Sequence, residues 1–214
     1  LEDNDLFFRT SPSDARQGQV IAELLQEKGI KSIAMTYTNN DYGKGLADAI
    51  QSNYEAAGGK VTINAAHEDG KGDYSAEVAA LSQAGGEILM VVGYLDQGGK
   101  GIIQSSLDAG AFSNFFLPDA MIGESLVKAI GPDLDGSIGT VPGTDSKGAE
   151  IYAELAKKDG FTAGPYSPEA YDAAALTLLA MQAANSADSN AAKAKVFEVA
   201  NAPGTKILPG ELAK

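Results

Sequence analysis

The feature of this sequence that most constrains its fold is a regular alternation of short apolar runs and amphipathic segments that end at glycine. Residues 87–92 are apolar almost throughout, which is typical of a strand covered on both faces. Strand-like and helix-like segments repeat in units of roughly 25 to 30 residues, as expected of right-handed βαβ crossovers. The pattern predicts an α/β fold with a doubly wound parallel sheet.

The element boundaries are predicted from apolar periodicity and from helix start and stop signals. Ser11, followed by Pro12 at the first helical position, predicts that the first helix begins there and continues to about Lys28, before Gly29. Strands are predicted at residues 31–37, 60–65, 87–92, 114–117 and 137–141. Further helices are predicted at residues 42–57, 73–83, 98–109 and 125–130.

The character of the chain changes after Val141. Residues 147–158, 167–185 and 190–201 are predicted to be helices, and the sequence between them contains no convincing strand. The second of these helices has an apolar surface too broad for an isolated helix. We therefore predict that additional protein, or a second copy of the chain, covers its apolar positions: Tyr171, Ala174, Ala175, Leu178, Leu179 and Met181.

The charge balance excludes some classes of partner. Among 214 residues there are 29 Asp and Glu against 16 Lys and Arg, a formal net charge of -13, which disfavours binding to nucleic acid. The chain has no cysteine, so disulfides, thiolate catalysis and cysteine-based metal sites are excluded. The first ten residues, LEDNDLFFRT, lack the features of a signal peptide, so we expect either a protein that is not exported or a processed or truncated piece.

Polar and aromatic residues follow three of the predicted strands. Asn40, Asp41 and Tyr42 come after the first strand, Tyr94 after the third, and Asp119 after the fourth. Because the carboxyl ends of parallel strands meet at one edge of a sheet, these residues are predicted to line a ligand site. The alternative for each is an ordinary loop residue or helix cap.

Asp119 is the candidate with the clearest chemistry. It stands between the apolar segments 115–117 and 120–122, and an unpaired carboxylate avoids such surroundings, so a cationic ligand group such as an ammonium would satisfy it. The alternative is a cap for the helix near Ser125. His67, the single histidine, is predicted to be solvated.

Common catalytic and cofactor motifs are not matched. The segment 123–127, GESLV, lacks the second glycine of a nucleophile elbow, and the loop at 93–101 departs from a phosphate-binding loop at two positions. No G-x-G-x-x-G follows the first strand, and the acidic residues lack EF-hand spacing. We therefore expect no catalytic activity, no metal site and no cofactor.

Several short motifs together carry a family resemblance. They are FFRT at residues 7–10, NDYGKG at 40–45, DYS at 73–75, Gly93-Tyr94 before a helix that ends at Ala109-Gly110, Pro118-Asp119, and Tyr171-Asp172-Ala173. In this order and spacing the sequence resembles the type I periplasmic solute-binding proteins of ABC importers, in particular the leucine/isoleucine/valine-binding, or branched-chain amino-acid, group.

The resemblance implies a two-lobed protein that closes on a small ligand, an amino acid or a similar polar solute. It implies that Tyr42 and Tyr94 pack on the ligand and that Asp119 holds its ammonium, at a position where the best-known members have Glu. It further implies that residues 1–141 form the second lobe, 142–204 the helical part of an incomplete first lobe, and 205–214 a return crossover, with the family pattern truncated at both ends.

The resemblance also implies partners and a location. The partners would be the ligand and ABC permease subunits, with self-association of the truncated piece as a further expectation. The location would be periplasmic, or extracellular and membrane-anchored. The alternative is a ligand-sensing domain of a receptor or regulator with the same fold.

Overall fold

The computed structural model describes residues 2–143 and 145–214. They form two compact units, one of residues 13–141 and one that combines the segment up to Pro12 with the segment from Pro142 onward. The first unit begins at Ser13, and the predicted lobe of residues 1–141 stays a prediction. Contacts of Phe8 and Thr10 place the start of the chain in the other unit.

The unit of residues 13–141 is a five-stranded parallel sheet with helices on both faces, as predicted. The strands lie in the order β2-β1-β3-β4-β5. They span Ser32–Thr38 (β1), Lys60–His67 (β2), Ile88–Val92 (β3), Phe115–Leu117 (β4) and Ile138–Gly139 (β5). The helices span Asp14–Glu27 (α1), Asp41–Ala56 (α2), Ser75–Ala84 (α3), Lys100–Asp108 (α4) and Glu124–Ile130 (α5).

The two faces of the sheet have separate cores because successive strand residues point to opposite sides. Ile33 and Met35 of β1 pack with residues of α1 and α2, whereas Ala34 between them packs with residues of α3, α4 and α5. All five residues of β3 are buried, as its apolar sequence predicts for a strand covered on both faces. The doubly wound arrangement is confirmed.

Three predicted helix starts are wrong. The helix predicted from residue 73 is α3, which begins at Ser75. Helix α1 begins at Asp14, after Ser13, whose hydroxyl accepts a hydrogen bond from the Arg16 amide at 3.4 Å and so acts as the N-cap. Helix α4 begins at Lys100 because the residues before it, Leu95–Gly99, form an irregular turn in which Gly98 has a φ of +91°. The signals at Ser11 and at Gly98 are therefore not helix starts.

The strand β5 is shorter than the predicted 137–141. Ile138 and Gly139 pair with Phe116 and Leu117 of the three-residue strand β4, so the ladder between them has two steps. The short edge leaves few unpaired backbone groups at this side of the sheet.

The second unit contains the helices Lys147–Lys158 (α6), Ser167–Ala184 (α7) and Ser189–Ala200 (α8), and its described residues include no strand. Residues near the start of the chain pack on these helices. The rings of Phe8 and Phe197 meet edge to face at 5.7 Å, and the Thr10 hydroxyl donates to the Glu169 carbonyl oxygen at 2.9 Å. These contacts place the first segment in this unit.

Helix α7 buries few of its residues completely. Of its 18 residues, Glu169 and Ala180 are buried, and the Leu178 side chain is 57% exposed. None of the helices in the described parts of the chain is both long and apolar enough to cross a membrane. The predicted covering surface for α7 stays a prediction.

Candidate functional site

The predicted site residues lie at the carboxyl edge of the sheet, where β1 and β3 are neighbours. Helix α2, which follows β1, packs on one face of the sheet, and α4, which follows β3, packs on the other. The two connections therefore leave the edge in opposite directions and open a crevice between them. In open α/β sheets, ligands bind at this kind of switch point.

Tyr42 is held at this edge by a tight junction between β1 and α2. Asn40 has extended backbone angles, and its side-chain oxygen accepts a hydrogen bond from the Gly43 amide at 2.8 Å. A Cβ on Gly43 would overlap the carbonyl oxygen of Thr38. Because glycine allows α2 to start directly against the end of β1, Tyr42 is fixed in the first turn of α2.

Tyr94 follows Gly93, which has a φ of +152° and lies so close to Thr38 that a Cβ would overlap the threonine hydroxyl. The Tyr94 side chain is 38% exposed, and its ring centroid lies 5.1 Å from that of Tyr42 with the planes tilted by 44°. Tyr42 from the first turn of α2 and Tyr94 from the loop after β3 thus form one aromatic surface with separate hydroxyl groups.

Asp119 completes this surface from the end of β4. Its side chain is 5% exposed, and its Oδ1 accepts hydrogen bonds from the Tyr42 hydroxyl at 3.2 Å and from the side-chain amide of Gln17. Helix α5 has Gly123 at its N-cap position with no side-chain cap, so the alternative that Asp119 caps this helix is excluded. The structure brings Tyr42, Tyr94 and Asp119 together.

Asn40 and Asp41, the other two predicted site residues, lie at the start of α2. Asn40 caps α2 through its oxygen and donates through Nδ2 to Gln97 Oε1 at 3.3 Å. Asp41 is exposed in the first turn of α2, where a negative charge favours the helix dipole. Both placements match the helix-cap alternative, and a ligand contact for either residue stays a prediction.

Gln17 is a residue of the candidate site that was not predicted from the sequence. It lies on α1, its side chain is 7% exposed, and its amide donates to Asp119, which is 102 residues away in sequence. The signal in the sequence was its spacing, because Gln17 stands four residues before the buried Ile21 and thus on the inward face of α1. A polar side chain at such a position needs a partner.

The prediction that His67 is solvated is wrong. His67 is the last residue of β2 and is fully buried. Its Nδ1 lies 2.9 Å from the Thr36 hydroxyl and its Nε2 lies 3.2 Å from the Thr38 hydroxyl. Burial lowers the pKa of the imidazole from its ordinary value of 6.5, because a charge there would lose its hydration.

Comparison with known proteins identifies the family. A family model described as periplasmic binding protein matches residues 2–205. The chain belongs to the periplasmic binding protein family. Among curated relatives, Leu/Ile/Val-binding protein homolog 1 of Brucella melitensis is 34% identical over 188 residues, which are 86% of this chain and 49% of the relative. The chain thus spans about half the length of this relative.

Solved structures show that the periplasmic-binding-protein fold extends through most of the chain. A leucine binding protein from Thermotoga maritima matches with a TM-score of 0.77 and 19% identity over 87% of this chain and 55% of that one. A solute-binding protein from R. palustris in complex with 4-hydroxybenzoate matches with a TM-score of 0.70 and 21% identity, over 87% and 53%. The predicted fold and the predicted family are confirmed.

The described residues include no candidate metal site. Across residues 2–143 and 145–214, no three or more His, Asp or Glu side chains are grouped to hold a metal ion. The acidic character of the site rests on Asp119, which accepts hydrogen bonds from Gln17 and Tyr42. The edge offers an anionic oxygen, two aromatic rings and hydroxyl groups, which is a set suited to a small organic cation or zwitterion.

Proposed function

We propose that this chain belongs to the substrate-binding component of an ABC importer, which captures an amino acid or a similar small polar solute by closure of two lobes. The observation that carries the proposal is the nearly buried Asp119 beside the Tyr42–Tyr94 ring pair at the switch point of the sheet. The relative from Brucella melitensis, described as a Leu/Ile/Val-binding protein homolog, supports an amino acid as ligand.

Charge explains why an ammonium group is the expected partner of Asp119. A carboxylate that is 5% exposed has lost most of its water, and its Oδ1 accepts hydrogen bonds from the neutral Tyr42 hydroxyl and Gln17 amide. An ammonium beside it would form a charge-assisted hydrogen bond, which is about twice as strong as one between neutral groups. The tyrosine rings would pack on the ligand's carbon atoms and exclude water from the pair.

The proposal includes the organisation and setting of the protein. The sheet unit of residues 13–141 is the second lobe, residues 142–204 belong to the helices of the first lobe, and residues 205–214 form the return crossover. The protein acts without catalysis, in the periplasm or at the outer surface of the membrane, and delivers its ligand to ABC permease subunits. Lobe closure, a common ligand-binding motion, would bring the remaining ligand contacts.

The test is isothermal titration calorimetry on the complete gene product. The ligands are L-leucine, L-isoleucine and L-valine, with 4-methylpentanoate as the leucine analogue that lacks the ammonium and 4-hydroxybenzoate as an aromatic acid. We expect an amino acid to bind and the ammonium-free acids to bind more weakly. Preference for 4-hydroxybenzoate over every amino acid would overturn the ammonium assignment.

A matched pair of variants tests whether the Asp119 carboxylate binds the ammonium group of the ligand. Asp119→Asn keeps the size of the side chain and should weaken amino-acid binding by about 30-fold or more, because truncating one member of a desolvated charge pair costs about 2–5 kcal/mol. Asp133→Asn changes an exposed aspartate after α5 and should leave the affinity unchanged. Equal affinities for the parent and Asp119→Asn would refute the role of Asp119.

A further inference from the structure

Gln17 is held at the candidate site by the close packing of two helices. It lies on the inward face of α1 beside Gly18, where an added Cβ would lie 2.8 Å from the Cβ of Ala49 in α2. Glycine at position 18 therefore allows the backbones of α1 and α2 to approach closely. The Gln17 side chain is 7% exposed, so its amide group needs hydrogen-bond partners inside the protein.

The backbone of Asp119 is fixed by contacts that do not involve Gln17. Asp119 begins a one-turn helix, Asp119–Met121, in which the amide of Met121 donates to the carbonyl oxygen of Pro118 at 2.9 Å. The Met121 side chain is 1% exposed, and its sulfur would lie 2.6 Å from a Cβ on Gly99, in the turn after Tyr94. This packing fixes the backbone but leaves the two side-chain torsions of Asp119 to be set by other groups.

Gln17 and Tyr42 orient the Asp119 carboxylate. Its Oδ1 accepts a hydrogen bond from the Gln17 amide of α1 and another from the Tyr42 hydroxyl of α2 at 3.2 Å. An ionised carboxylate can only accept, so the nitrogen of the Gln17 amide faces it. Donors on two different helices thus fix the direction of the carboxylate at the tyrosine surface. Because the amide is neutral, Gln17 adds no positive charge to the site, unlike a lysine or an arginine.

We propose that Gln17 is a positioning residue that determines ligand specificity. It holds the Asp119 carboxylate at the Tyr42–Tyr94 surface through a neutral donor, so that the site favours a ligand with an ammonium group over the same acid without one. The specificity part rests on the proposed function. The hydrogen bond between Gln17 and Asp119 does not, so the two parts can fail separately.

A role in specificity differs measurably from a role in packing. If the Gln17 amide only satisfies the interior of the unit, its loss changes the affinity for every ligand by the same factor. If it positions Asp119, its loss selectively changes the affinity for ligands that carry an ammonium group. The ratio of the affinities for L-leucine and 4-methylpentanoate separates the two roles, because these ligands differ in that group.

The first experiment measures this ratio by calorimetry for the complete gene product and for Gln17→Met, which keeps the length of the side chain and removes the donor. The affinity for L-leucine should fall about tenfold, as expected when a charged group loses a hydrogen bond, while that for 4-methylpentanoate should change by less than about twofold. L-isoleucine with 3-methylpentanoate, or L-valine with 3-methylbutanoate, replaces the pair if the parent prefers that amino acid.

Two results of this experiment would overturn the specificity role. An equal loss of affinity for both ligands would show that Gln17 acts through packing. A gain in affinity for the amino acid would show that Gln17 competes with the ligand for Asp119.

The second experiment places a tethered ammonium beside Asp119. In Gln17→Lys the new side chain should pair with Asp119 and exclude the ammonium of the ligand, so the affinity ratio should fall by about 30-fold or more. Gln19→Lys adds the same charge on the exposed face of α1, where Gln19 donates to Glu23 at 2.9 Å, and should leave the ratio unchanged. An unchanged ratio in Gln17→Lys, or an equal fall in both variants, would contradict the proposal. Circular dichroism checks folding, and Gln17→Met still decides if Gln17→Lys does not fold.

The third experiment observes the hydrogen bond without a ligand. In ¹⁵N nuclear magnetic resonance spectra of the complete gene product, the side-chain amide signals of Gln17 are those that disappear in Gln17→Met. Their exchange with water should accelerate about tenfold or more in Asp119→Ala, because the buried acceptor is lost. In Asp133→Ala, which changes an exposed aspartate, it should stay as in the parent. Equal exchange in the parent and in Asp119→Ala would refute positioning by Gln17.

The three experiments distinguish the two ways in which the proposal can fail. Failure of the parent to bind any of the three amino acids would count against the proposed function. The exchange of the Gln17 side-chain amide would still decide whether Gln17 holds Asp119.

Discussion

The two units of the molecule differ in how completely they bury their apolar residues. The sheet unit of residues 13–141 has a core on each face, and side chains such as Phe115 and Phe116 are fully buried. The helical unit leaves Leu178 57% and Phe197 72% exposed. The sheet unit thus buries the apolar residues of its strands on both faces, whereas helices α7 and α8 leave large apolar side chains exposed among the described residues.

The largest expected contrast comes from truncating one phenylalanine in each unit. Phe116→Ala, in the centre of the sheet unit, should lower the free energy of unfolding by about 3–5 kcal/mol, because it removes buried contacts and leaves a cavity. Phe197→Ala should cost no more than about 1.5 kcal/mol, the value of its ring contact with Phe8. Urea unfolding followed by circular dichroism measures both. Equal losses would mean that the helical unit is as well packed as the sheet unit.

The next contrast uses glycines inside two helices. Gly43→Ala, in α2, should destabilise the protein by about 1–3 kcal/mol, because the added carbon would overlap the Thr38 carbonyl oxygen. Gly148→Ala, in α6, meets only ordinary contacts at 3.7 Å or more and should stabilise by up to about 1 kcal/mol. Thermal unfolding of both variants tests the pair. Stabilisation by Gly43→Ala would show that the junction of β1 and α2 is looser than described.

A smaller contrast replaces a glutamine in each unit by methionine. Gln17→Met removes a buried donor to Asp119 and should cost about 1–2 kcal/mol, with weaker amino-acid binding as a second effect. Gln182→Met changes an exposed residue of α7 and should stay within about 0.5 kcal/mol of the parent. Chemical unfolding and calorimetry give the two readouts. Unchanged binding in Gln17→Met would remove Gln17 from the site.

The smallest contrast is a difference in pH dependence. The pKa of His67 lies below its ordinary 6.5, so as pH falls through about 6.5 the unfolded chain takes up a proton first and the sheet unit loses stability. Desolvation by nearby atoms raises the pKa of Asp172, an exposed residue of α7, above its ordinary 3.8, so the folded helical unit takes up a proton first and is stabilised as pH falls through that range.

Amide exchange followed separately in β1 and in α7, from pH 7.5 to 4, measures these opposite trends. His67→Gln should abolish the loss in β1 between pH 7 and 6, and Asp172→Asn should flatten the acid trend in α7. A parallel loss of stability in both units over the whole range would show that other groups control the pH dependence.

Much of the sheet unit could be predicted from sequence because its signals are local. Apolar runs of strand length and helices that end at glycine repeat along the chain, and each requires only a few neighbouring residues to be recognised. The errors arose where tertiary contacts decide the outcome. The irregular turn at residues 95–99 depends on contact with His67, and the start of α1 depends on the Ser13 hydroxyl rather than on Ser11 and Pro12.

The site could be predicted in part for the same reason. The rule that parallel strands end at one edge correctly placed Tyr42, Tyr94 and Asp119 together. Gln17 was missed because its partner is distant in sequence. His67 was misjudged although it continues the alternation of Ile63 and Ala65 on β2, which would have indicated a side chain turned towards the α3–α4 face.

Thr38 determines which positions can be varied when the ligand specificity of this protein is to be changed. Its carbonyl oxygen lies against Gly43 and its hydroxyl lies against Gly93, so it supports the loops of both tyrosines. A library that varies Tyr42 and Tyr94 while it retains Thr38, Gly43 and Gly93 would sample new ligand surfaces on an unchanged backbone. A library that also randomises Thr38 would disturb the backbone that supports both tyrosines. Most of its members would then lack a well-formed site and could not be selected for a new ligand.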